Sequence, residues 1–196
     1  MSTPTTRVAF HTMGCKTNFS ETSTLSREMI THGLQLVSFR DKADIYVLNS
    51  CSVTENADKE ARKLIRQARR RNPDAAVAVI GCYAQLHPAE IAAIPGVELV
   101  VGAAEKFNLF THLSSLKANG NATVIQSPIA TVQSFQTSFS AAERTLTDLK
   151  VQDGCDYNWS FCTIPLARGR GRSDNIADTV NIAQQIADTE AREIVL

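Results

Sequence analysis

Four short apolar runs in the first half of the chain, each followed by a stretch of helical periodicity, restrict the fold more than any other feature. They are Val8-Ala9-Phe10, Ile45-Tyr46-Val47-Leu48, Ala76-Val77-Ala78-Val79-Ile80 and Val97-Glu98-Leu99-Val100-Val101. The middle two are continuous rather than alternating, the pattern of strands covered on both faces in a parallel sheet. Residues 18–31 carry Leu25, Met29 and Ile30 on one helical face, with Asn18 and Glu21 spaced as a capping box and Gly33 suited to the stop. Residues 54–71 align Ala57, Ala61, Leu64, Ile65 and Ala68 and end before Pro73. Residues 88–94 and 106–117 read as shorter helices. Strands alternating with helices predict βαβ units, and so a Rossmann-like α/β domain with a parallel sheet over residues 6–120.

Between residues 121 and 142 no side chain is charged, and Ser, Thr and Gln abound. Residues 121–143 therefore read as a linker, with one short strand at 123–126. A second βαβ unit follows over 144–196: a strand at 149–151, a helix at 174–188 and a strand at 193–196. A length of 196 residues suits one full domain and part of another, and no internal repeat is evident.

Lys and Arg number 20 and Asp and Glu 20, so no global field draws the chain to nucleic acid, and basic contacts must be local. The first residues lack a basic segment followed by an apolar one, and no apolar run approaches the roughly 20 residues of a membrane span. The expectation is a soluble, cytoplasmic chain with no membrane partner.

There are five cysteines, Cys15, Cys51, Cys82, Cys155 and Cys162. An odd number in such a chain argues against a disulfide framework. Cys15, Cys51 and Cys82 each follow a strand in an equivalent turn. Loops that follow the strands of a parallel sheet leave at one edge, where open α/β sheets bind ligands. Each also precedes a helix, whose positive end favours thiolate over thiol. Single cysteines are commonly buried apolar side chains, but three at equivalent positions point to metal. Three thiolates without a fourth suit an iron–sulfur cluster with one open iron; zinc held with His11 or His87 is the rival.

The stretch Gly154-Cys155-Asp156-Tyr157-Asn158-Trp159-Ser160-Phe161-Cys162 makes the pattern specific. With residues 149–153 before it and 163–170 after it, it resembles the C-x-x-x-C-x-x-C motif of the methylthiotransferases, a radical S-adenosylmethionine family. The segments 10–18, 47–54 and 79–85 resemble that family's three upstream cysteine loops. Among its branches, the one acting on N6-threonylcarbamoyladenosine of transfer RNA is the most similar. The resemblance implies a tRNA methylthiotransferase, adding a methylthio group to C2 of that adenosine next to the anticodon. It further implies two [4Fe–4S] clusters, one on Cys15, Cys51 and Cys82 and one on Cys155 and Cys162 that binds S-adenosylmethionine, and a partial (β/α) barrel begun at residue 144. Transfer RNA is the implied partner, alongside a sulfur donor and an electron donor.

In two respects the sequence departs from the family. The family's middle cysteine falls on Trp159, whose indole cannot ligate iron as a thiolate does, and the family's chain continues past the position of Leu196. The expectation is a truncated chain, inactive by itself, with a weak or absent second cluster. A non-catalytic iron–sulfur or zinc-binding fragment is the alternative. A nucleotide-binding domain with core cysteines is a third reading, disfavoured because no G-x-G-x-x-G follows the first strand. Lys59, Arg62, Lys63, Arg66, Arg69, Arg70 and Arg71 crowd one helix. Such a run is more often a solvated face than a phosphate-binding one. Arg168, Arg170 and Arg172 follow the second motif and are better placed to meet cofactor or RNA.

Overall fold

The computed structural model describes residues 5–51, 55–116, 121–140, 146–157 and 159–196; side chains are described for all of these but 55–58. Asn158 and Thr54, which figure in the sequence reading, lie outside the described residues.

The first unit runs β1 (Arg7–Thr12), α1 (Lys16–Thr31), β2 (Gln35–Val37), β3 (Ile45–Ser50), α2 (Glu55–Arg71), β4 (Ala76–Gly81), α3 (Cys82–Leu86), α4 (Pro88–Ala92), β5 (Leu99–Val101), a 3-10 turn at Lys106–Asn108, α5 (Leu109–Ser114) and β6 (Thr123–Ile125). Among the described residues these strands form one sheet in the order β2-β1-β3-β4-β5-β6, every pair parallel. The doubly covered strands of the sequence reading are explained by two cores. Leu48, Val77 and Val79 point to one face, under Ala61, Leu64, Ile65 and Ala68 of α2 with Tyr83 and Ile91. Val47, Ala78 and Ile80 point to the other, under Leu25 and Met29 of α1 and Leu109 of α5. Successive side chains of a strand face opposite ways, so a strand covered on both sides must be apolar throughout. Each such fully buried side chain contributes about 1.5–3 kcal/mol, and Ile80→Ala would cost about 2–5 kcal/mol. After α2, the Asn72 side chain donates to the Ala43 carbonyl at 2.7 Å, and Pro73 prevents the helix from continuing.

A second, smaller sheet contains β7 (Ser138–Phe139), β8 (Leu146–Lys150) and β9 (Glu193–Val195), with β7 antiparallel and β9 parallel to β8. Between β8 and β9 lie α6 (Ile164–Arg168) and α7 (Ile176–Ala187). The Asn175 side chain caps α7 by accepting from the Asp178 backbone N–H at 2.9 Å.

Several local expectations change. The capping box on Asn18 and Glu21 does not form: α1 begins at Lys16 with Cys15 as its N-cap, and both side chains are buried inside the helix, engaged in tertiary contacts. The helix expected at 106–117 is a 3-10 turn followed by α5, and α3 and α6 were not anticipated. The edge strand β2 was also missed. The strand foreseen in the linker is β6, and it completes the large sheet. No helix among the described residues is long and apolar enough to cross a membrane.

Candidate metal centre

The three upstream cysteines leave the sheet at one edge. β1, β3 and β4 are neighbours, with Thr12 opposite Asn49 and Ser50 opposite Gly81. Cys51 and Cys82 directly follow a register pair, and Cys15 stands three residues beyond Thr12. A hydrogen bond from the Met13 N–H to the Asn49 carbonyl (2.9 Å) carries the first loop along β3. Gly14 is required there: its φ is +100°, and a Cβ would lie 2.8 Å from Cys51 Cβ and 2.9 Å from Cys51 Sγ. Gly81 has φ +98°, and a Cβ would meet the Asn49 side chain and the Ser50 carbonyl at 2.6 Å.

Asn18 binds this edge together. Its Nδ2 donates to the Met13 carbonyl (2.8 Å) and to the Ser50 carbonyl (3.3 Å), while its Oδ1 lies 3.9 Å from Cys15 Sγ. Asn49 in turn donates to the Asn18 carbonyl (3.0 Å) and the Thr22 hydroxyl (3.1 Å). Cys15 is exposed, and the other four cysteines are partly buried; all five are free thiols. Among the described residues, no three His, Cys, Asp or Glu side chains gather closely enough to hold a metal ion. The donor set fits an iron–sulfur centre in kind: three thiols leave three adjacent strand ends.

Behind Cys82 lies a buried charge cluster that sequence reasoning missed. Glu21 is fully buried and meets Lys106 at 2.7 Å, Lys150 at 3.2 Å and Arg168 at 3.0 Å. Asp153 meets Arg168 at 2.7 Å, Lys150 at 3.4 Å and Arg172 at 3.8 Å. Burial alone would push the Glu21 carboxyl up, but Lys106, Arg168 and Lys150 overcome it and hold it well below the usual carboxylate range. Glu21 belongs to α1 and Lys106 to the turn after β5, whereas Lys150, Asp153 and Arg168 come from the second unit, so the cluster fastens the two units together. Four cations against two carboxylates leave the cluster net positive, and of its members Arg168, Lys106 and Glu21 act on the Cys82 thiol. For that thiol the expected shift towards thiolate is reversed: burial pushes Cys82 up, with Arg168 and Lys106 opposing it. Desolvation disfavours the charged form more than nearby cations restore it.

Cys155 and Cys162 sit in the loop between β8 and α6. The Cys155 N–H donates to the Gly169 carbonyl (3.0 Å) and the Cys162 N–H to the Trp159 carbonyl (3.0 Å). Trp159 is 61% exposed, with Phe161 beside it at 6.1 Å between ring centroids. Two thiols and an indole do not supply the three thiolates that a cubane takes from a C-x-x-x-C-x-x-C loop, so no step is assigned to a second cluster in this chain.

His11 packs on Phe39 (5.1 Å) and His87 on Tyr83 (5.6 Å), with Glu90 3.7 Å from His87. Of the arginines after the second motif, Arg168 is buried in the charge cluster, Arg172 reaches Asp153, and Arg170 lies exposed beside Asp156. Of the basic run on α2, Arg62 pairs with Glu90, and Arg69 donates to the Ala75 carbonyl at 3.1 Å.

Fold and site together define a parallel α/β module that brings cysteines to one sheet edge, joined to a βαβ unit with a second cysteine loop. Residues 7–102 match the family described as "Uncharacterized protein family UPF0004". The chain is 39% identical over 197 residues to the threonylcarbamoyladenosine tRNA methylthiotransferase MtaB of Bacillus subtilis (strain 168), covering 96% of this chain and 42% of that protein. It is 39% identical over 193 residues to the MtaB of Aquifex aeolicus (strain VF5), covering 97% and 47%. The ribosomal protein uS12 methylthiotransferase RimO of Chloroflexus aurantiacus is 29% identical over 205 residues, covering 94% and 44%. Over nearly its whole length this chain is similar to methylthiotransferases. It spans less than half the length of the curated relatives it matches.

Proposed function

We propose that this chain is the front portion of a tRNA methylthiotransferase acting on N6-threonylcarbamoyladenosine, in which Cys15, Cys51 and Cys82 hold an iron–sulfur cluster. The observation that carries the reading is the delivery of three free thiols after β1, β3 and β4, neighbouring parallel strands in which β3 pairs with both others, in a chain 39% identical to two MtaB proteins. In this reading the cluster-bearing module runs from residue 6 through β6, the connection follows it up to β7, and residues 144–196 with β7 form the start of a radical S-adenosylmethionine domain.

When bound, such a cluster supplies a site for the sulfur that is transferred; the hard chemistry is the cofactor's. The residues of the chain have positional roles. Asn18 fixes the Cys15 loop against the end of β3, and Gly14 lets the backbone close on Cys51. The positive charge cluster behind Cys82 favours an anionic occupant of the edge. Cys155 and Cys162 occupy two of the three thiolate positions of the S-adenosylmethionine-binding motif, and Trp159 leaves the third without a ligand.

The test is genetic. Deleting the coding gene in its source organism should remove the 2-methylthio group from N6-threonylcarbamoyladenosine in total transfer RNA, read by nucleoside mass spectrometry. An unchanged level of the methylthio nucleoside would contradict the reading.

A further inference from the structure

A cleft of about 890 Å³ opens between α1 and α2 across the β2 edge of the large sheet. Its volume is in the range of small-molecule and cofactor sites. β2 stops at Val37, the register partner of Ala9, so Phe10, His11 and Thr12 run past it with no strand on that side. They form the floor. The cleft therefore ends at Thr12, three residues from Cys15.

Its walls carry Arg27 from α1, Arg40 after β2, and Lys63 and Arg71 from α2, against one carboxylate, Glu60. In a chain with 20 cations and 20 acidic side chains, this is a local excess of positive charge. None of the four cations makes an ion pair among the described residues. Among the described residues Arg27 donates only to neutral acceptors, the Ser23 and Thr24 hydroxyls and the Phe139 carbonyl. Arg71 lies 5.7 Å over the Phe39 ring, and its Nη1 is buried without a hydrogen-bond acceptor among the described residues. A buried guanidinium donor without an acceptor is costly and is satisfied by an anion. Phe10, His11 and Phe39 add flat rings beside the charges. Burial pushes His11 down, with Glu60 opposing it, which favours the neutral, stackable imidazole.

Cations without a carboxylate partner among the described residues, a guanidinium nitrogen lacking an acceptor and the partly buried rings of Phe10 and His11 together make a site for phosphate attached to a nucleobase. We propose that this cleft binds a phosphorylated nucleoside, supplied by the backbone of an RNA strand whose neighbouring base lies at the cysteine edge. Choosing RNA over a free nucleotide rests on the tRNA substrate proposed above; the charge and shape of the cleft do not.

The experiment compares the full chain with an Arg40→Ala/Lys63→Ala variant, both positions being exposed. Binding of a fluorescently labelled anticodon stem-loop RNA and of a labelled ATP analogue is followed by anisotropy at several salt concentrations. The expected result is RNA binding weakened about tenfold in the variant, with the slope of log K against log salt shallower by about 1.4, the loss of two phosphate contacts at about 0.7 each. The same weakening for ATP with unchanged RNA binding would support the cleft with a free nucleotide as its source. Equal binding of both ligands to wild type and variant, or no binding of either, would overturn the proposal. Iron content measured on the same samples reports on the cysteine centre, and the variant leaves every thiol in place. Failure of the cleft and failure of the cluster are therefore distinguishable.

Discussion

Arg168 and Asn18, 150 residues apart in sequence, meet at 2.5 Å, the Arg168 guanidinium donating from Nη2 to the Asn18 side-chain carbonyl. The same Asn18 holds the Cys15 loop to the end of β3, and the same Arg168 lies beside Cys82 and pairs with Glu21 and Asp153. One contact thus links the two cysteine-bearing units. Removing one partner of a buried pair leaves the other charge uncompensated, at about 3–5 kcal/mol. Arg168→Ala should lower the free energy of unfolding by that amount and speed proteolytic cleavage within residues 121–143. Arg168→Lys should recover only part, since an ammonium cannot serve Asn18, Glu21 and Asp153 at once. Denaturant titration and limited proteolysis check both; a variant as stable and as resistant as wild type would refute the link.

Glu21 makes stability depend on acid. Its folded-state carboxyl is held well below the ordinary value of 4.5. The stabilisation is therefore fully present above that value and is lost as pH falls below 4.5 towards the depressed one. Glu21→Gln should be less stable at neutral pH by about 3–5 kcal/mol, and its stability should fall less steeply on acidification below pH 4.5 than that of wild type. Parallel acid-dependence curves would exclude Glu21 as the origin.

Gly14→Ala places a methyl group against Cys51 at a φ of +100°. Strain of this kind costs about 1–3 kcal/mol, and the thermal midpoint should drop. Gly33→Ala is the control: its φ is +83°, but nothing lies within 4 Å of a Cβ there. The backbone cost should remain and the collision should not, so the Gly14 variant should be the less stable of the two.

Much of the sheet was legible because its strands are buried on both faces. β3 and β4 announced themselves as unbroken apolar runs, and the loop position of the first three cysteines followed from parallel topology. β2 was not legible: Gln35-Leu36-Val37 is a short edge strand with two of its three residues exposed. Asn18 and Glu21 misled, because a polar pair near a helix start has the spacing of a cap whether it caps or faces a tertiary partner. Glu21 meets Lys150 across 129 residues, and nothing local in either sequence announces a partner that far away.

Trp159→Cys is a separate test of the second loop. If the indole alone prevents ligation, the variant should bind more iron and sulfide per chain than wild type after anaerobic reconstitution, with the surplus abolished by a further Cys155→Ser change. Equal iron in wild type and Trp159→Cys would show that the loop lacks more than a thiolate. Trp159 is the chain's single tryptophan, so loss of its fluorescence verifies the substitution directly.

The central claim is that Cys15, Cys51 and Cys82 hold one iron–sulfur cluster. Its most direct measurement is iron, acid-labile sulfide and zinc per chain after anaerobic reconstitution, in wild type and in the Cys15→Ser/Cys51→Ser/Cys82→Ser variant. A single cubane predicts about four irons and about four sulfides in wild type, with both lost in the triple variant. Zinc in place of iron, or iron and sulfide retained when all three thiols are gone, would contradict it.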